Sequence, residues 1–66
     1  METLVQRLRA RSRLLSVSEV SELLGIHPVT ARDWLRAGKL PAARIGGRWK
    51  IDPTELATWI EVRRMG

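Results

Sequence analysis

SVSEVSELLGIHPVTARDWLRAG, residues 16–38, decides how this chain folds. Ser16 and Glu19 are spaced so that the serine hydroxyl accepts from the Glu19 amide while the glutamate reaches back to the Ser16 amide. That is a capping box, the signature of a helix start. Val17, Val20, Leu23 and Leu24 then recur at helical spacing. Gly25 follows, the residue that best tolerates the left-handed conformation closing a helix, and Ile26 is placed to fold back on that end. The expected helix is Val17–Leu24. A second one begins almost at once, with His27 as N-cap and Pro28 at the first helical position, where its missing N–H costs nothing. It runs through VTARDWLRA and stops at Gly38. Ala31, Trp34 and Leu35 share its inward face; Val29, Arg32, Asp33 and Arg36 lie on the other side.

Downstream, LPA leads into ARIGGRWKI, residues 43–51. Gly46-Gly47 between two short β-prone runs signals a hairpin. A two-residue loop would pair Ile45 with Arg48 and separate Ile45 from Trp49. A three-residue loop, Gly46–Arg48, would pair Ile45 with Trp49 and keep Ala43, Ile45, Trp49 and Ile51 on one buried face. Register follows a buried face where there is one, so the longer loop is the expectation, with Arg44, Arg48 and Lys50 outward. The last helix opens with Asp52 as N-cap, Pro53 at the first position and Glu55 completing a second capping box. It should run to about Arg63, with Leu56, Trp59, Ile60 and the stem of Arg63 facing inward. Trp34, Trp49 and Trp59 fall on predicted inward faces and read as core rather than as platforms for bases. Before all this, Leu4, Val5 and Leu8 can form one side of a short helix. Residues 1–13 otherwise read as a basic N-terminal arm, and 14–66 as the folded domain.

Composition narrows the function. Sixty-six residues make one small domain, which buries only about 60% of the surface its unfolded chain exposes and leaves little material to wall off a deep active site. There is no cysteine and only one histidine, His27, so neither a disulfide framework nor a metal site is expected. No nucleophile–base pair, carboxylate pair or glycine-rich phosphate loop suggests an enzyme or a cofactor. No apolar run is long enough to span a membrane or serve as a signal peptide, and a cytoplasmic protein is the expectation. Net charge is +5, with twelve Lys and Arg against seven Asp and Glu. The positive charge is concentrated in two places. One is the N-terminal segment, with Arg7, Arg9, Arg11 and Arg13. The other is residues 27–50, where six basic residues face only Asp33. Such asymmetry is an electrostatic footprint for nucleic acid.

The fold class expected is therefore mainly α with a small β-hairpin: a winged helix-turn-helix, made of two helices, a two-stranded wing and a C-terminal helix. The major groove of duplex DNA admits one helix, and a first helix braces the second so that its outer residues meet base edges. The candidate DNA-binding residues are His27, Pro28, Val29, Arg32, Asp33, Arg36, Arg44, Arg48 and Lys50. Arg32 and Arg36, one turn apart, reach bases or phosphates. Val29 touches a thymine methyl, and the Pro28 end aims a positive helix terminus at a phosphate. Arg48 follows the backbone or enters a minor groove. Each has a plainer alternative. Arg44 and Lys50 are equally readable as outward charges for solubility, His27 as a simple cap, and Asp33 as a partner of Arg36 rather than of a cytosine. The N-terminal arginines either track phosphates or are merely solvated.

LLSVSEVSELLGIHPVTARDWLRAGKLPAARIGGRWKIDPTELATWI, residues 14–60, resembles the excisionase-type, MerR-like winged helix-turn-helix module. First helix, second helix, RIGGRWKI wing and closing helix appear in that family's order. The resemblance implies sequence-specific binding to double-stranded DNA without catalysis, in bacterial or phage-encoded proteins that act at the nucleoid. It implies a recognition helix at Pro28–Ala37 and a wing tip at Gly46–Arg48. It also implies a role in which attachment-site DNA is bent and an integrase steered towards excision. His27 and Pro28 replace the small polar pair common at the helix start, and the first 13 residues lie outside the resemblance. A small transcriptional regulator would share the DNA-binding mode. A winged helix used only for protein contact would leave the arginine distribution unexplained. A domain this size reads few base pairs, so several copies on repeated sites are expected.

Overall fold

The computed structural model describes residues 3–65; Met1, Glu2 and Gly66, which belong to the arm and domain ranges above, lie outside them. The order is α1 (Leu4–Arg9), α2 (Val17–Leu24), α3 (Pro28–Arg36), a hairpin of β1 (Ala43–Ile45) and β2 (Arg48–Lys50), and α4 (Pro53–Met65). This is the mainly helical, winged helix-turn-helix class expected.

Local chemistry sets the helix ends. Ser16 Oγ accepts from Glu19 N–H at 3.2 Å and Glu19 Oε1 accepts from Ser16 N–H at 3.1 Å. That N–H, and after it the Arg11 guanidinium at 3.1 Å, holds the Glu19 carboxyl below the usual carboxylate range. At the other end of α2, Gly25 takes φ 68° and Ile26 N–H returns to the Ser21 carbonyl at 3.0 Å. His27 caps α3 through Nδ1, which accepts from Val29 N–H at 3.1 Å. Asp52 caps α4 as expected, but it accepts from Thr54 N–H at 2.8 Å and not from Glu55, so its cap is a short loop one residue tighter than the anticipated box.

The core is aliphatic. Leu8, Leu15, Val20, Leu35, Leu40, Ile51, Leu56 and Ala57 form one buried cluster. The three tryptophans pack against it but stay half-buried, because a core of this size cannot enclose an indole on every side. Trp34 and Trp59 lie 6.2 Å apart between ring centroids, tilted by 42°, and Trp59 Nε1 donates to the Lys39 carbonyl at 2.6 Å. The Arg63 guanidinium lies 3.8 Å from the Trp59 ring centroid, so its whole side chain, not the stem alone, covers the inward stripe.

Two features correct or extend the sequence expectations. The first is the wing register. Ala43 pairs with Lys50, Arg44 with Trp49 and Ile45 with Arg48, which is the two-residue loop and not the three-residue one. Gly46 and Gly47 both take positive φ, 59° and 77°, the pattern of the tight turn that matches strand twist. The strands are largely exposed, so no buried face was present to fix the register, and the turn chemistry fixed it instead. Consequently Ile45 is outward, and Arg44 shares the face of Trp49, its guanidinium 5.3 Å from the ring centroid. The second is the N-terminal segment. Thr3 and Gln6 form a capping box of their own, and α1 packs on α4, burying Val5 and Leu8. Leu15 and Ile51 exchange backbone hydrogen bonds at 2.8 and 3.0 Å, joining the chain before α2 to the residue that follows β2.

A Cβ at Gly47 would meet nothing within 4 Å, so a side chain there is opposed by backbone conformation alone. Gly47→Ala should cost about 1–2 kcal/mol, the penalty for a left-handed L-residue. A thermal melt indistinguishable from wild type would mean that the turn is not held in this form.

Candidate nucleic-acid interface

Capping and the apolar stripe of α3 determine which of its residues face out. Ala31 and Leu35 are buried and Trp34 half-buried, so Arg32 and Arg36 emerge on the opposite side. The wing then folds beside that side. The Leu15–Ile51 pairing brings the start of α2 next to β2. Between them lies an open cleft of about 340 Å³, lined by Ser16, Val17, Ser18, Arg32, Arg36, Arg44, Gly47, Arg48, Trp49 and Lys50.

Five of these residues are cationic and none is a carboxylate; on the wing, Arg44 projects from the Trp49 face and Arg48 and Lys50 from the other, so positive charge borders the opening from both faces of the hairpin. Among the described residues the ion pairs are Arg9–Glu61 at 3.0 Å and Arg11–Glu19 at 3.1 Å. Neither draws on a cleft cation, so the charge facing the cleft is not neutralised by the protein. The Arg44 guanidinium lies 5.3 Å from the Trp49 ring centroid, within cation–π reach. Such a surface, concave, polar and uniformly positive, offers several donors to phosphate oxygens at once.

The structure sorts the sequence candidates into two groups. Arg32, Arg36, Arg44, Arg48 and Lys50 meet at the cleft. His27, Pro28, Val29 and Asp33 do not line it; the first three lie at the N-terminal end of α3, with Val29 55% exposed, and Asp33 is exposed past the middle of the helix. Asp33 makes no ion pair with Arg36 among the described residues. Sequence reasoning missed Ser16, Val17 and Ser18 as lining residues. Their capping role was plain, but only the distant Leu15–Ile51 pairing puts that helix end beside the wing. Two of the four N-terminal arginines, Arg9 and Arg11, are engaged in ion pairs with the body of the domain. No helix among the described residues is long and apolar enough to cross a membrane.

No curated protein and no solved structure matches this chain at significance. A family model does: the one described as a helix-turn-helix domain, which is the excisionase-type family, matches residues 14–64. The match begins just ahead of the α2 cap and runs through both helices, the wing and nearly all of α4. The chain therefore belongs to this helix-turn-helix family, whose members are DNA-binding domains.

Proposed function

We propose that the chain is an excisionase-like architectural factor, a recombination directionality factor that binds particular duplex sites and steers a recombinase without catalysis of its own. The observation that carries the DNA-binding part is the convergence of five cations, with no carboxylate, on the cleft between α3 and the wing. In this reading Arg32 and Arg36 approach base edges in the major groove while Arg44, Arg48 and Lys50 engage the backbone beside it. Val29 meets a thymine methyl, the His27–Pro28 end of α3 approaches a phosphate, and Asp33 faces a cytosine amino group.

The recombinase-steering part draws support from a second groove. Gly38, Lys39, Leu40, Pro41, Thr54, Glu55, Thr58 and Trp59 line it, and it shares no residue with the cleft. A groove that shares no lining residue with the cleft stays open to a protein partner while the cleft meets DNA. Several copies on repeated sites supply the specificity that one small domain lacks. The setting is the bacterial cytoplasm, at the nucleoid, and the MerR-like kinship inferred from the sequence agrees with it. A small transcriptional regulator would use the same cleft. Footprinting on the DNA flanking its own gene separates the two: protection over recombination sites supports the first, protection confined to a promoter supports the second.

Arg32→Ala tests the base-reading role. It should cost about 1–3 kcal/mol on the specific site and much less on random duplex. Equal losses on both would make Arg32 a phosphate contact, and no loss on either would overturn this placement of α3.

A further inference from the structure

An exposed isoleucine alone means little; the place of Ile45 means more. It is 54% exposed and lies directly opposite Arg48, next to the wing turn. Residues opposite one another in an antiparallel pair project on the same face. One face of the wing therefore carries Ala43 and Ile45 along one strand and Lys50 and Arg48 along the other. The strip is apolar on one edge and basic on the other. Its tip is Gly46-Gly47, which carries no side chain, and the space where Cβ atoms would stand is open. The tip is thus slim at the point where it protrudes.

We infer that Ile45 is an apolar minor-groove contact: the wing tip enters the groove, Ile45 lies against the deoxyribose walls and A·T edges, and Arg48 opposite it holds the phosphates or the groove floor. This deepens the DNA-binding reading above and rests on it. The minor groove is about 6 Å wide and 7.5 Å deep, which suits a hairpin tip without side chains. Its walls are the least polar surface that DNA offers. The groove also concentrates negative potential where it is narrow, which suits a cation beside the isoleucine. A protein partner for the same strip would have to supply apolar and acidic surface together at the mouth of a cleft whose five cations all favour DNA.

The contact is distinguishable from an electrostatic one, because burying apolar surface releases no counterions. Binding of the full chain to A·T-rich and G·C-rich duplexes should be measured across a salt series for wild type, Ile45→Ala, Ile45→Val and Arg48→Ala. Ile45→Ala should weaken binding about three- to tenfold at every salt concentration, as expected for losing part of three buried carbons, and leave the salt slope unchanged. Ile45→Val should bind within about twofold of wild type, since it removes a single carbon. Arg48→Ala should make the slope shallower by about one unit. In the wild type, methylation of adenine N3, which fills the minor groove, should weaken binding to the A·T-rich duplex. Ile45→Ala binding equal to wild type, a slope shifted as in Arg48→Ala, or indifference to N3 methylation would each overturn the inference. If wild type binds duplex with a normal salt slope and only these results fail, the Ile45 role alone is lost. If wild type shows no salt-dependent binding, the DNA-binding reading fails and this one with it. Thermal melts of both Ile45 variants should match wild type, because the side chain is exposed.

Discussion

Duplex binding by this protein should fall about 40- to 500-fold between ~50 mM and ~200 mM monovalent salt, according to how many of its cations meet phosphates. Each phosphate neutralised by a protein cation releases condensed counterions, and log K then falls against log salt by about 0.9 per contact. Arg32, Arg36, Arg44, Arg48 and Lys50 line the cleft. If each meets one phosphate, the slope is about −4.5; if Arg32 and Arg36 read bases instead, it is nearer about −2.7. Arg9 and Arg11 are engaged with Glu61 and Glu19 and should add little. The effect is readable by fluorescence anisotropy with any short duplex, because the term is independent of sequence. A slope near zero would remove duplex DNA as the ligand and leave the cationic cleft without its proposed role. A slope much steeper than about −5 would instead show that cations outside the cleft also reach the backbone, and Arg7→Ala with Arg13→Ala would then test whether the N-terminal segment supplies them.

The second large effect concerns that segment. Leu8→Ala should destabilise the domain by about 2–5 kcal/mol, the range for truncating a fully buried leucine. Leu8 is 1% exposed and belongs to the same cluster as Leu15, Ile51 and Leu56. Native domains hold only about 5–15 kcal/mol in total, and small ones the least. The loss is therefore large enough to leave an appreciable unfolded fraction at 37 °C. The measurement is a urea or thermal melt followed by tryptophan fluorescence, with Arg7→Ala, an exposed change on the same helix, as control. The control should shift stability by less than about 0.5 kcal/mol. Should Leu8→Ala melt as the wild type does, α1 would be dispensable for the fold and the segment would behave as an arm.

These two expectations bracket what could be read in advance. The bounds of α2 were legible because its signals are adjacent in the chain. Ser16 bonds three residues ahead, and Gly25 closes the helix one residue after Leu24. The same holds for the start of α3 at His27 and Pro28 and for its stop at Gly38. Arg32 and Arg36 could be assigned to the outer face because Ala31, Trp34 and Leu35 claim the inner one at helical period. The wing was legible as a hairpin but not in register. Two rules competed there, burial of a face and the geometry of a glycine pair, and which one won depended on whether anything covered the strands.

What lay beyond the sequence was every feature that joins distant segments. The chain's own residues, read locally, settled the order of the α2, α3, wing and α4 elements, the caps of α2 and α3, the aliphatic stripes and the concentration of charge. Each of those depends on hydrogen bonds or periodicities that span three or four positions. Only the packed molecule decided that α1 lies on α4, that Leu15 pairs with Ile51, that Arg9 reaches Glu61, and that the start of α2 stands beside the wing. Those contacts require the matching of two surfaces formed separately, and nothing in either segment names its partner. The cleft is the clearest case. Its arginines were evident one by one, but their convergence depends on a two-residue pairing between segments 36 positions apart, which places β2 and the start of α2 on opposite sides of the same opening.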